Sequence, residues 1–369
     1  MRWDGLLQHG SSAPGAVEDG SGQGAGAAAG TPEALLPAAL GGATVRTFAT
    51  PGFAGMTFYE IQAKSILNRV PDASQVPFRW TVNPYRGCSH ACVYCFARNT
   101  HTWLDLDAGL DFDRRVVVKV NAADLLRREL AAPRWGREAI AMGTNVDCYQ
   151  RAEGRYALMP RIIAALRDFA NPFSILTKGT LILRDLPLLR EAATVTDVRL
   201  SLSVGFTDEA LWRSVEPGTP SPARRLDAVR RLSDAGFPVS VLMAPVLPGL
   251  TDDPEQLDRT VAAIAAAGAV SVTPLSLHLR PGAREWYLDW LGREHPRLLP
   301  RYRELYRRGA YLPADHQREV TARVRLAARR HGLDPADRAT ARGLTAHRPG
   351  GAPAGVPDRA PVTEQLSLL

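Results

Sequence analysis

Three of the chain's four cysteines, Cys88, Cys92 and Cys95, stand close together in RGCSHACVYCFARNTH (86–101), with three and then two residues between them. Thiols set beside Arg86, Ser89 and His90 are in too polar a stretch to be ordinary core residues. Four cysteines are also few for a disulfide framework, and clustering in a reducing compartment points to metal or redox chemistry. Two metal readings follow. Three thiolates can hold three irons of a 4Fe–4S cluster and leave the fourth iron open to a small molecule. Alternatively they can hold zinc with His90 or His101 as fourth ligand, although such zinc sites usually pair two C-x2-C halves and no second half is present.

A loop of this kind needs strands and helices to position it. Short β-rich runs occur at 79–85, 138–144, 172–178, 197–204, 237–245 and 271–278, and amphipathic helical stretches at 158–170, 183–193, 222–235 and 254–267. The third of these helices opens on Pro222 and closes on Gly236, a matched start and stop. A further run, VVVKV (116–120), lies between the cysteine loop and the second main strand. Such alternation predicts parallel βαβ units with right-handed crossovers. About six of them make a partial (β/α)6 barrel, whose chemistry collects at the carboxyl ends of its strands. Periodicity alone leaves an open doubly wound sheet as an alternative.

Residues 10–31 are rich in Gly, Ala and Ser, and 345–369 hold few core-forming residues before the last five. Both are expected to be disordered. The expected organisation is a largely disordered 1–54, a barrel over 55–280, a basic helical region over 281–335, and a flexible tail over 336–369 ending in QLSLL. Hydrophobic content of 45% and charged content of 22% suit a soluble globular chain. The start, MRWDGLLQHGSS, lacks the pattern of a secretory signal, and the most apolar run (261–272) is too short for a membrane span. A cytoplasmic location with no membrane association is expected.

In order along 57–295, NPYRGCSHACVYCFAR followed by His101, VVVKVNAADLLRREL, MGTNVDCYQRAEGRY, FSILTKG, SLSVGF, EPGTPSPARRLDAVRRLSDAGF and APVLPGLTD closely resemble the radical SAM superfamily. Within it, the series is similar to the spore-photoproduct-lyase-like branch and to a group common in actinobacteria. The resemblance implies the partial (β/α)6 barrel, a 4Fe–4S cluster on Cys88, Cys92 and Cys95, and S-adenosylmethionine as the molecule chelated by the open iron. It places Tyr94 near the adenine, Gly143 and Thr144 at the methionine amino group, Lys178 at the carboxylate, and Ser201 or Ser203 at the ribose. Small alternating serines also simply fill a barrel, and Glu216 of EPGTP either shapes the site or starts a helix.

An external one-electron reductant of flavodoxin or ferredoxin type would feed the cluster. Reductive cleavage of the cofactor would then give a 5′-deoxyadenosyl radical that takes hydrogen from an unactivated carbon. Photoproduct lyases use a cysteine as hydrogen donor. Here Thr144 stands nearest that position, and Cys148 is the candidate donor, its alternative being a small buried hydrophobe. Tyr149 and Tyr156 are candidates to relay a radical or to serve the core.

The net charge of +7 permits a nucleic-acid substrate. Arg293, Arg297, Arg301, Arg303, Arg307, Arg308, Arg318, Arg323, Arg325, Arg329 and Arg330 crowd the C-terminal region. Trp286, Trp290, Tyr302, Tyr306 and Tyr311 interleave its first part, a mixture that backbone neutralisation and base stacking would need. Solvated arginines over a core of aromatics are the alternative. Gln365–Leu369, QLSLL, resembles the peptide by which bacterial repair proteins dock on the DNA sliding clamp, with Leu366, Leu368 and Leu369 entering a pocket. Two other functions fit these features: a metal-stabilised nucleic-acid-binding module without catalysis, and a radical enzyme acting on a peptide or small molecule.

Overall fold

The repeated strand–helix pattern becomes a seven-stranded sheet in a computed structural model that describes residues 40–333 apart from Ala73 and Gln75. Two short N-terminal strands, β1 (Thr44–Arg46) and β2 (Thr57–Ile61), come first, followed by β3 (Leu67–Arg69), β4 (Trp80–Val82), β5 (Tyr85–Arg86) and β6 (Arg115–Lys119). The remaining strands are β7 (Ile140–Met142), β8 (Phe173–Thr177), β9 (Val198–Ser203), β10 (Ser240–Val246) and β11 (Ser271–Ser276). The large sheet runs β11-β10-β9-β8-β7-β4-β3. Its strands from β4 to β11 are parallel and in chain order, while β3 pairs antiparallel with β4 at the edge. This is the expected partial (β/α)6 barrel, and it decides against the doubly wound alternative because the order never reverses.

Every residue of β10 and β11 is buried, as strands covered on both faces require. The connecting helices supply the outer layer. Leu158–Asp168, Pro222–Asp234 and Pro254–Ala266 each turn an apolar face to the sheet, through Ile162 and Leu166, Val229 and Leu232, and Val261 and Ile264. Ser221 caps the second of these helices with Pro222 in its first turn, and Gly236 follows at φ +94°, where glycine is favoured.

The run at 116–120 is a strand, and β6 joins a separate four-stranded sheet, β1-β2-β6-β5. Because β1 pairs with β2, and Leu40 is buried against Tyr59 and Val117, the ordered body begins before residue 55. The basic C-terminal region is not set apart from the barrel either. Helix Ala314–Arg330 puts Val320, Val324 and Ala327 into the main core, while Tyr287 and Tyr302 share a second core with Cys92 and Tyr94. Among the described residues no helix is long and apolar enough to cross a membrane. The disorder expected of both chain ends falls largely, and the docking peptide Gln365–Leu369 wholly, outside the described residues.

Candidate active site at the cysteine loop

The loop that carries Cys88, Cys92 and Cys95 follows β5, and its backbone is fastened from several sides. Gln150, fully buried, accepts from the Ser89 amide at 2.9 Å and donates to the Gly87 carbonyl at 2.8 Å. Arg98, also fully buried, donates to the Cys92 carbonyl at 3.0 Å and to that of Gly109 at 2.8 Å. The same guanidinium pairs with Asp113 at 2.8 Å and lies over the rings of Phe112 and Trp286. Gly218 donates to the His90 carbonyl at 3.0 Å. A Cβ there would stand 2.0 Å from the Ser89 carbonyl oxygen, so this approach needs glycine. All three thiols are free, and burial pushes each above the ordinary cysteine range. Buried sulfurs of this kind become thiolates when a metal cation supplies the countercharge.

The thiols open onto a cavity at the carboxyl ends of β7 to β11, about 1150 Å³ with its open mouth included. Tyr94, Gly143, Thr144, Lys178, Ser201 and Ser203 all line it, as expected from the sequence. Ser201 and Ser203 share one face of β9, two residues apart. The Lys178 ammonium donates to Ser203 Oγ at 2.6 Å and the Ala244 carbonyl at 3.2 Å, and stands 3.3 Å from Glu216 Oε1. Glu216 also accepts from the Tyr94 hydroxyl and pairs with Arg225 at 2.5 Å, all within the protein interior. Burial alone would raise the Glu216 carboxyl, but Arg225 and then Lys178 outweigh it and hold the group at about 2. Glu216 therefore belongs to the site, beyond merely ending a helix.

Gly143 turns at φ +78°, and a Cβ there would meet the Leu176 carbonyl oxygen at 1.8 Å. Neither that backbone nor the left-handed φ suits another residue. Gly143→Ala is expected to cost about 2–5 kcal/mol. Chemical denaturation measures this, and an unchanged midpoint would show that the turn tolerates a side chain.

Several expected residues lie elsewhere. Cys148 is fully buried in the main core and does not line the cavity, the place of a small hydrophobe. Tyr149 bonds Asp185 at 3.0 Å and Tyr156 bonds Glu60 at 3.0 Å, both away from the cavity lining. His101 donates from Nε2 to the Arg115 carbonyl at 2.8 Å and is likewise outside the cavity, whereas His90 lines it. Among the described residues no three His, Cys, Asp or Glu side chains converge on a single-ion position. Trp290, Tyr302 and Tyr306 are buried in the second core, so they offer no stacking platforms. Six of the eleven C-terminal arginines pair with carboxylates: Arg293, Arg301, Arg307, Arg318, Arg323 and Arg330.

Sequence reasoning missed Arg98, Gln150 and Asp147. Asp147 lies in the GTNVD turn after β7 and ties three elements together. It accepts from Thr177 Oγ1 at 2.6 Å and the Lys178 amide at 2.7 Å, and it faces His90 Nδ1 at 3.3 Å. Burial works against its charge, but His90 and these donors hold the carboxyl at about 2. The only signal in the sequence was the polar cluster after an apolar strand.

Comparison with known proteins agrees with this geometry. The family model described as the radical SAM superfamily matches residues 82–261, the span from the cysteine loop to the helix before β11. An uncharacterised Mycobacterium tuberculosis protein is 55% identical over 280 residues, covering 76% of this chain and 82% of its own. An uncharacterised protein of Methanocaldococcus jannaschii is 29% identical over 195 residues, covering 52% and 69%. Among solved structures, spore photoproduct lyase complexed with dinucleoside spore photoproduct superposes with a TM-score of 0.54 at 17% identity, covering 74% of this chain and 79% of that one. A mutant of that lyase with bound AdoMet and the same dinucleoside gives 0.53 at 17% identity, with coverage of 70% and 76%. With its cysteine loop, the strands β5 to β10 and most of the cavity lining falling inside the matched span, the chain belongs to the radical SAM superfamily.

Proposed function

We propose that the protein is a radical S-adenosylmethionine enzyme that holds a 4Fe–4S cluster on Cys88, Cys92 and Cys95. Its cofactor would lie against Tyr94, Gly143, Thr144, Lys178, Ser201 and Ser203. One observation carries this reading: the three free thiols and all six of those residues face a single cavity at the strand ends. The donor set fits the cluster, because the three free thiols line one cavity without forming a single-ion site among the described residues, and a cluster takes each on a separate iron. When bound, the reduced cluster and S-adenosylmethionine supply a 5′-deoxyadenosyl radical that abstracts hydrogen from an unactivated carbon.

The chain's own residues bind, orient and shield. Arg225 neutralises Glu216 from the interior, which leaves the Lys178 ammonium at the cavity lining as a donor for an anionic group. Tyr94 is tied to Glu216, so its ring is fixed beside the thiol loop before anything binds. The Gly143–Thr144 turn offers carbonyls and a hydroxyl to an ammonium. Apolar walls from Leu242, Ala244 and Leu275 exclude water from the reacting centre.

We take the substrate to be a nucleic acid, in keeping with the net charge of +7 and with the dinucleoside held by solved lyases of the same fold. A flavodoxin- or ferredoxin-type protein would deliver the electron in the cytoplasm, and Gln365–Leu369 would dock on a sliding clamp. The decisive experiment is anaerobic. Protein reconstituted with iron and sulfide, reduced and given S-adenosylmethionine is expected to yield 5′-deoxyadenosine, and Cys88→Ala, Cys92→Ala or Cys95→Ala to bring the yield to background. A fully loaded cluster that makes none overturns the enzymatic reading.

A further inference from the structure

The small sheet holds a cation where a cation is costly. Lys119 closes β6 with 8% of its surface exposed, on the same face as Val117 and so turned away from the main core that takes Val116 and Val118. Among the described residues its ammonium makes no hydrogen bond and no ion pair. The carboxylate that does act on it, Glu129, spends its two oxygens on the Ile66 and Leu67 amides, at 2.9 and 2.7 Å. A second cation adds to the cost. Arg86 is registered opposite Val117, which sets it diagonal to Lys119 on one face, within reach of a long side chain. Burial first, and then the Arg86 charge, bring the ammonium down to about 8, so it is still mostly protonated at pH 7. Buried charges in folded proteins are normally paired, and this one calls for an anion.

The chain then turns into helix Ala122–Leu130, whose first two residues are buried. Its N-cap residue, Asn121, gives no side-chain cap, because both ends of that amide are taken by Ala63. Oδ1 accepts from the Ala63 amide and Nδ2 donates to the Ala63 carbonyl, each at 2.9 Å. Asp124, the acidic residue of the first turn, pairs with Arg161. First-turn N–H groups call for an acceptor, and an anion there also meets the positive end of the helix dipole. Because β2 runs parallel to β6 with Ile61 beside Lys119, this helix start and Lys119 share the carboxyl end of one strand pair. Arg86 stands at the margin. It donates to the Thr100 carbonyl at 3.2 Å, and its guanidinium lies 5.5 Å from the ring centre of Trp103, which is 56% exposed. None of these residues lines the barrel cavity.

We infer that Lys119, Arg86 and the first-turn amides of helix Ala122–Leu130 form a phosphate site outside the barrel, and that Trp103 beside it receives the base of a nucleotide bearing that phosphate. A phosphate offers several acceptor oxygens to an ammonium, a guanidinium and backbone amides at once, and a base stacks on an exposed aromatic ring. The inference goes beyond the proposed function and needs neither cluster nor cofactor.

The test uses the full chain at fixed ionic strength, with chloride as the reference anion and inorganic phosphate, thymidine 5′-monophosphate and thymidine as probes. The two phosphates are expected to move the amide resonances of Ala122 and Ala123 in the unmutated protein, and thymidine to leave them in place. Lys119→Met is expected to weaken both phosphates at least about tenfold. Having lost a buried cation, it is expected to melt no earlier than the native protein. Static resonances, or native phosphate affinity in Lys119→Met, overturn the inference. So does binding that appears only after reconstitution with iron and sulfide, which would place the ligand in the cavity. Trp103→Ala is expected to weaken the nucleotide about fivefold and to spare inorganic phosphate. Equal affinity for the two phosphates, or a nucleotide indifferent to Trp103→Ala, would overturn the nucleotide assignment and leave a site for free phosphate.

Discussion

Arg98→Met is expected to destabilise the protein by about 3–5 kcal/mol and to abolish iron uptake on reconstitution. The guanidinium is fully buried and makes bonds to Cys92, Ala108 and Gly109 carbonyls as well as to Asp113. Methionine fills much of the volume and still packs on Phe112 and Trp286, but it leaves those carbonyls and a largely buried carboxylate without a donor. Burial already raises Asp113 to about 6 against the pull of Arg98, so the carboxylate will take up a proton once its partner is gone. Adding Asp113→Asn to Arg98→Met is therefore expected to restore part of the stability. It will not restore iron uptake, because the Cys92 carbonyl remains untethered. Denaturation midpoints and iron per chain measure both effects, and native values for either in Arg98→Met would sink the account of the loop.

Glu216→Gln is expected to be as severe, and for the opposite reason. It leaves Arg225 and Lys178 as neighbouring buried cations with no anion between them, a loss of about 3–5 kcal/mol. Removing the second charge as well, in Glu216→Gln with Arg225→Met, is expected to recover most of that stability. Affinity for S-adenosylmethionine is expected to stay at least about tenfold below native in the double variant, since a neutral amide oxygen holds Lys178 and Tyr94 less strongly than the carboxylate it replaces. Equilibrium dialysis beside a melting curve separates the two quantities. Recovery of affinity together with stability would show that Glu216 serves the fold alone.

The parts of this molecule that were legible in its sequence are those written locally. The spacing of Cys88, Cys92 and Cys95, the alternation that puts Ser201 and Ser203 on one face, and the Pro222-to-Gly236 helix each depend on residues close in the chain. What connects distant segments was hidden. The Tyr94–Glu216 bond spans 122 positions, and the Gln150 contact with Ser89 spans 61. Arg98 looked like one more arginine in a basic chain. The two readings of Cys148 stayed open because it follows the strand in an irregular turn, where no period tells which neighbour faces the cavity and which the core. Asp147 faces inward and Cys148 does not. The arginine-and-aromatic mixture near the C-terminus left two readings open for a related reason: composition cannot tell a stacking surface from a core, and Tyr302 and Tyr306 are core.

The fastening of the thiol loop also bears on what oxygen would do to the proposed cluster site. Gln150, Arg98 and Gly218 hold the loop through bonds made wholly within the polypeptide. On the proposed function, little ordering entropy would be left to be lost when iron and sulfide enter. Loss of the cluster would leave these bonds in place, and refilling the site would not call for rebuilding the loop around it.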